Sequence, residues 1–256
     1  MLKNKKGLIL GIANDHSIAW GIAKTLGIYG ANIALSYQNE SMLKRIKPLA
    51  EKLGSDFIIP CDVSKENDIT NCFNTIQKRW GELDFVIHSL AFSNKNELSG
   101  RYIDTSLDNF LTTLNISCFS LTSIAKEASK LMVNGGSIVT LTFYGSNKVM
   151  PNYNVMGVAK AALETSVKYL SVDLGSKQIR INAISAGPMR TLSGAAISNA
   201  REVYNFAQKN SPLGRSVTLE EIGNTALYLV SNLSSAVTGE IIYVDSGYNI
   251  IGMSTN

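Results

Sequence analysis

Short apolar runs of strand length alternate along this chain with longer segments whose apolar residues recur every three or four positions. Leu8-Ile9-Leu10 has the pattern of a buried strand, and Ile18, Ile22 and Leu26 follow at helical spacing. Asn32 to Tyr37 predicts a second strand. The charged helical stretch from Leu43 to Leu53 comes next, and Pro48 within it is expected to bend or restart the helix. Phe57-Ile58-Ile59 predicts a third strand and residues 65 to 80 a helix. Leu83 to His88 reads as the fourth strand, with a long helical stretch over 106 to 132. Ser137 to Thr142 is the fifth strand, Ile179 to Ser185 the sixth and Glu240 to Asp245 the seventh. A helix carrying Tyr153 and Lys160 separates the fifth from the sixth, and two more helices precede the last. Strands this apolar, with helices between them, are covered on both faces, which is the mark of a parallel sheet. Right-handed crossovers then wind it in both directions. The prediction is one α/β domain over 1–256: a doubly wound, Rossmann-type, mostly parallel seven-stranded sheet with helices on both faces.

Tyr153 and Lys160 are the first candidates for chemistry. Seven residues span almost two helical turns, so both side chains leave one face and can converge on one small molecule. A phenol beside an ammonium is an acid whose anionic form the neighbouring charge stabilises. The same helix is apolar on more than one face, through Ala159, Ala161, Ala162, Leu163, Val167, Leu170, Val172 and Leu174. Such a helix is buried twice. Either a second copy of the chain covers the outer face, or the helix lies deep within the monomer.

The turn after the first strand runs from Gly11 through Ser17 and Ile18 to Gly21. Gly11 permits a sharp exit from the strand. The Ser17 hydroxyl can cap helix amides or meet a phosphate, and Gly21 is expected to let helix pack closely on strand. The turn is not G-x-G-x-x-G, because Ala13 stands at the second glycine. At the end of the second strand Gln38 can bond a ribose hydroxyl and brings no charge for an extra phosphate, which favours NADH over NADPH. Lys44 and Arg45 are the nearest cations. Asp62, followed by Val63, ends the third strand. Its carboxylate either accepts from an adenine amino group or caps the helix that starts near Ser64. His88 reads as structural, and His16 has no companion that would make a metal site.

Composition narrows the class. Hydrophobic residues make up 45% and charged residues 17% of 256, an ordinary globular balance. The net charge of +4 is spread over small clusters such as Lys3, Lys5 and Lys6, which argues against nucleic acid. Three cysteines, Cys61, Cys72 and Cys118, form no CxxC pair, as expected of a reducing, cytoplasmic setting. No apolar run reaches the roughly 18 residues of a membrane span. The opening lysines and apolar run mimic a leader peptide, but Asn14-Asp15-His16 ends the run without a cleavage pattern, and a first strand is the better reading.

Taken together these motifs resemble the short-chain dehydrogenase/reductase superfamily and, within it, the bacterial NADH-dependent enoyl-acyl-carrier-protein reductases. The likeness runs nearly end to end. It rests on the Gly11-to-Gly21 turn, Ser36-Tyr37-Gln38-Asn39, Cys61-Asp62-Val63, His88-Ser89-Leu90-Ala91-Phe92 and Pro151-Asn152-Tyr153-Asn154-Val155-Met156-Gly157 up to Lys160. It continues through Arg180 to Leu192 and Thr238-Gly239-Glu240. The spacing separates it from the carbonyl-reducing members, which carry Tyr four residues before the Lys and Ser thirteen before that Tyr. Those positions here are Met156 and Phe143.

The resemblance implies reduction of a trans-2-enoyl thioester by hydride from NADH, in fatty acid elongation, by a homotetramer that accepts its substrate from acyl carrier protein. It implies that Tyr153 bonds the thioester oxygen and Lys160 the nicotinamide ribose. Gly11 would belong to the cofactor-binding turn, Ser17, Ile18 and Thr191 would line the pyrophosphate path, Gln38 the adenosine ribose, Asp62 and Val63 the adenine, and Ala91 and Ile184 would border the nicotinamide end. Residues from about 191 to 206 would form a mobile substrate flap, and Arg190, Arg201 and Lys209 a basic rim for the acidic carrier. Many members carry a second Tyr ten residues before Tyr153; here that position is Phe143, with Tyr144 beside it. On a continuing strand the two would face opposite ways, so Tyr144 is not expected to substitute. The rivals are a ketone or alcohol reductase and a non-enzymatic NADH sensor or scaffold.

Overall fold

Every apolar run predicted as a strand forms one, and the pleat explains why both faces are greasy. In the computed structural model, which describes residues 1–191, 194 and 200–253, the strands are β1 (Lys6–Leu10), β2 (Asn32–Tyr37), β3 (Ile58–Pro60), β4 (Phe85–His88), β5 (Gly136–Thr142), β6 (Ile179–Ala186) and β7 (Ile241–Val244). All six neighbouring pairs are parallel, in the order β3-β2-β1-β4-β5-β6-β7. Leu8, Val86, Ile138 and Ile181 feed one core; their chain neighbours Ile9, Ile87 and Val139 feed the other. Alternation along each strand thus fills two layers at once.

The helices are α1 (Ile18–Ile28), α2 (Glu40–Leu53), α3 (Glu66–Trp80), α4 (Leu107–Leu114), α5 (Ser120–Leu131), α6 (Asn154–Gly175), α7 (Ala200–Asn210) and α8 (Leu219–Val230). Buried residues of α1, α2 and α8 join the Ile9 core, and those of α3, α5 and α6 the Leu8 core. Pro48 does not restart its helix. α2 runs unbroken because Asn39 caps it by accepting the Met42 amide at 3.1 Å, and Ile46, Leu49 and Ala50 are buried through the missing hydrogen bond. The stretch over 106 to 132 is one helical path with a π turn at Asn115–Phe119 between α4 and α5. The wider turn keeps Asn109, Thr113, Ser117 and Ser120 all buried. Gly21 also differs from expectation. A Cβ there would lie 2.7 Å from Leu219 Cβ, so the glycine brings α1 against α8 and not against a strand. Among the described residues no helix is long and apolar enough to cross a membrane.

Chain order reverses between β1 and β4, and a doubly wound sheet opens a crevice at the carboxyl ends of the strands on either side of such a reversal.

Candidate active site

The crevice exists because β1 leaves the sheet through a glycine. Gly11 has φ +98°, and a Cβ there would sit 1.9 Å from the Ser89 carbonyl oxygen at the end of β4. Only glycine lets the two strand exits approach this closely. Ser17 is the N-cap of α1, but its hydroxyl turns back and accepts from the amides of Ala13 and Asn14 at 3.0 Å each. It shapes the turn and caps no amide of the helix. The first turn of α1 therefore presents its positive end with no side-chain cap, a favourable setting for an anion.

A cavity of about 480 Å³ opens here. It runs from Gly11, Ser17 and Ile18 past Ala91 to Tyr153, Lys160 and Thr191. Gln38, Asp62 and Val63 lie outside its walls, at the ends of β2 and β3 along the same edge of the sheet. Asp62 accepts from the Ser64 amide at 3.1 Å and hydroxyl at 2.8 Å, and Gln38 bonds it as well. Burial works to raise its pKa, but these bonds prevail and hold the carboxyl below its usual value. Asp62 thus organises the turn before α3, whose N-cap is Lys65, and it meets Gln38 directly. Val63 packs into the core. Ile184 does not border the cavity: it is fully buried in the Ile9 core, because its place on β6 turns it to that layer. Met189, just past the end of β6, takes the position on the wall instead.

Tyr153 stands at the N-cap of α6, so the pair spans the start of the helix. The chain enters through Asn152 at φ 60° and Asn154 at φ 39°, left-handed positions that asparagine tolerates best after glycine. Asn154 donates to the carbonyls of Glu97 and Gly100, both at 3.3 Å, and ties this entry to the loop that carries Leu98 into the cavity. Lys160 is 5% exposed and donates to the Leu141 carbonyl at 2.8 Å and the Leu90 carbonyl at 3.5 Å. Burial lowers its pKa to about 8, against the pull of Cys118 and Glu164. Burial and the Glu164 charge push the Tyr153 phenol upward, so it stays protonated and can donate.

The loop after β4 is held by the polar side of α4, the π turn and α5. Ser117 Oγ accepts the Phe92 amide at 2.9 Å and donates to the Phe92 carbonyl at 3.1 Å. Asn109 Oδ1 accepts the Asn94 amide at 2.8 Å. His88, wholly buried, places its ring nitrogens 2.9 Å from Thr140 Oγ1 and 2.8 Å from Ser120 Oγ. Burial, with the Lys160 charge, lowers its pKa to about 3, so it is a neutral strut and no acid–base group. Among the described residues no group of three His, Cys, Asp or Glu could hold a metal ion.

β5 ends at Thr142, and Phe143 follows in extended conformation. Its ring lines the cavity and packs edge-on against Tyr153, centroids 5.1 Å apart. Tyr144 turns away to Tyr243 and Tyr248. Sequence reasoning missed most of the remaining wall: Phe92, Leu98, Met150, Met189 and Tyr204. Leu98 comes from a connection without strand or helix periodicity to place it, and Tyr204 from α7, within the stretch expected as a flap, whereas Phe92 and Met189 stood inside motifs already singled out. Of the expected flap, 192, 193 and 195–199 fall outside the described residues; α7 follows, with Arg190 stacked 4.7 Å over the Tyr204 ring.

Comparison with known proteins agrees with this geometry. The model of the family described as Enoyl-(Acyl carrier protein) reductase matches residues 11–249. A Rhizobium meliloti protein named Enoyl-[acyl-carrier-protein] reductase [NADH] 2 is 60% identical over 100% of this chain and 95% of its own. The Rickettsia typhi Enoyl-[acyl-carrier-protein] reductase [NADH] FabI is 55% identical over 99% and 97%. Among solved structures, FabI from Candidatus Liberibacter asiaticus has a TM-score of 0.98 at 59% identity, covering 99% of this chain and 98% of that one. The Anaplasma phagocytophilum enoyl-(acyl-carrier-protein) reductase, solved in complex with NAD, has 0.97 at 55%, covering 100% and 97%.

Proposed function

The chain belongs to the enoyl-(acyl carrier protein) reductase family, and from that premise we propose how its own residues carry the reaction. It reduces the trans-2 double bond of enoyl-acyl-carrier-protein thioesters with NADH, in fatty acid elongation. When bound, NADH supplies the hydride that reaches the β-carbon. The fit is supported by the glycine exit at the switch point, the uncapped start of α1 and the Gln38–Asp62 contact at the adenosine end. Ser17, Ile18 and Thr191 follow the pyrophosphate, Gln38 holds the ribose, Asp62 and Val63 border the adenine, and Ala91 lies at the nicotinamide. Lys160, fixed by two strand-end carbonyls, presents its remaining donor capacity to the nicotinamide ribose.

Hydride arriving at the β-carbon drives charge onto the thioester oxygen as an enolate. Tyr153 donates to that oxygen and stabilises a charge that exists only after transfer. One observation carries the choice of a double bond over a ketone. In the frame where a carbonyl reductase holds its Tyr and Ser, this cavity presents Met156 and Phe143, neither of which can donate or accept a proton.

A homotetramer is supported by α6, which leaves Val158, Tyr169 and Val172 exposed beside Leu107, Leu111 and Phe119 of the adjoining helices. Three unpaired buried thiols support a cytoplasmic setting. The acidic carrier protein docks on a basic rim of Arg190, Arg201 and Lys209 near the flap. Arg201→Glu with Lys209→Glu is expected to raise KM for enoyl-acyl-carrier protein on the order of tenfold, while KM for NADH and for a carrier-free enoyl thioester stays unchanged. Equal turnover of both acyl donors by the reversed and parent proteins would contradict this docking face.

A further inference from the structure

Glu164 lies one helical turn beyond Lys160 on α6. Its Oε1 accepts from Thr142 Oγ1 at 2.6 Å and from Ser146 Oγ at 2.5 Å; its Oε2 accepts from Asn147 Nδ2 at 3.3 Å. These donors bracket Phe143-Tyr144-Gly145, the turn from β5 towards α6. Asn147 also donates to the Tyr243 hydroxyl at 3.0 Å, which extends the anchorage to β7.

The same turn touches both reacting side chains. Leu141, at its root, accepts from Lys160. Phe143 packs edge-on against Tyr153. Gly145 passes so near that a Cβ there would come within 2.5 Å of the Tyr153 ring, and a Cβ on Gly157 of α6 would meet the Gly145 carbonyl at 2.9 Å. Bonds to a carboxylate are stronger than those between neutral groups, and two of these three are short. A single acid thus gathers the whole turn.

We propose that Glu164 is a positioning residue, whose carboxylate clamps the turn from Thr142 to Asn147 onto the face of α6 and thereby fixes the Tyr153 phenol and the Lys160 ammonium in register. This rests on the reading of Tyr153 and Lys160 as the reacting pair. Glu164 touches neither directly and acts through Leu141, Phe143 and Gly145.

Its charge gives the clamp a signature that plain scaffolding lacks. Glu164 favours the protonated forms of both Tyr153 and Lys160. The other titratable groups acting on Lys160 are Cys118 of the π turn, which also favours the ammonium, and His88 of β4, neutral in this setting. With the carboxylate removed, phenol and ammonium both lose their protons at lower pH. Either loss ends function, so the alkaline limb of the kcat/KM profile moves down in pH.

The test is Glu164→Gln, assayed with NADH and a trans-2-enoyl thioester across pH. The expected result is a fall in kcat on the order of tenfold or more from lost orientation, KM for NADH near the parent value, and an alkaline limb displaced to lower pH. Thr142→Val with Ser146→Ala keeps the charge but removes two donors; it is expected to lower kcat several-fold with the limb in place, and it carries the test if the Gln variant does not fold. Parent kcat in either folded variant, or a Gln variant whose limb does not move, would overturn the proposal. A parent protein inactive on enoyl thioesters would instead overturn the reading beneath it.

Discussion

Replacing Tyr153 with Phe is expected to reduce kcat by about 10²–10³-fold, the typical cost of removing one preorganised donor to a developing oxyanion. The phenol's near neighbours explain the size of the effect. Phe143, Leu98, Met150 and Met156 surround it, and none can take over a hydrogen bond to the enolate oxygen. Tyr204 is the other phenol among the described residues of the cavity wall, and Arg190 is stacked on its ring. In a dry, apolar surrounding the lost donor is worth more than it would be in water. KM for NADH should stay close to the parent value, because Gly11, Ser17, Gln38 and Lys160 are untouched. Steady-state kinetics with a trans-2-enoyl thioester measures this. Activity within about tenfold of the parent would assign Tyr153 only a weak electrostatic role.

The second large effect falls on the backbone. Gly11→Ala places a Cβ 1.9 Å from the Ser89 carbonyl oxygen and forces a φ of +98° on a residue that resists it. Strain of this kind costs about 1–3 kcal/mol, and overpacking against a fixed strand end adds about 1–3 kcal/mol. A loss of roughly 3 kcal/mol would lower Tm by about 6–12 °C for a domain of this size. NADH binding should weaken with it, since relief of the overlap moves the β1–α1 turn away from β4. Thermal melting and NADH titration of the same preparation measure both. A variant with parent Tm and parent NADH affinity would mean that the strand exits do not need this close approach.

The fold was largely legible in the chain because burial on both faces leaves a one-dimensional trace. Leu8-Ile9-Leu10 can be uniformly apolar only if Leu8 and Ile9 serve different cores, and they do. Boundaries were harder. Pro48 carries a local signal for a break, yet the buried face of α2 overrides it. The π turn in the stretch over 106 to 132 leaves no periodic mark, since it adds one residue within a helical path. In the candidate site, the fold brings Gly11, Ser17, Ala91, Tyr153, Lys160 and Thr191, all named from the sequence, to one cavity. Ile184 lies in the Ile9 core and off the cavity wall, because motif likeness gives proximity in sequence, whereas the pleat decides which face a strand residue takes. Gly21 was assigned to the wrong neighbour for a related reason: the partner that needs its missing Cβ, Leu219, lies far away in the chain. Glu164 was unreadable beforehand, because an acid on a helix is ordinarily solvated and only the folded turn brings its three donors together.

The most direct measurement is the loss of NADH absorbance with a trans-2-enoyl thioester beside the same assay with a 3-ketoacyl thioester. Oxidation with the enoyl substrate alone is the expected result, because Met156 and Phe143 leave the cavity without the polar pair a ketone needs while Tyr153 and Lys160 remain. Oxidation with the ketoacyl substrate alone would contradict the assignment of Tyr153 as the donor to an enolate oxygen.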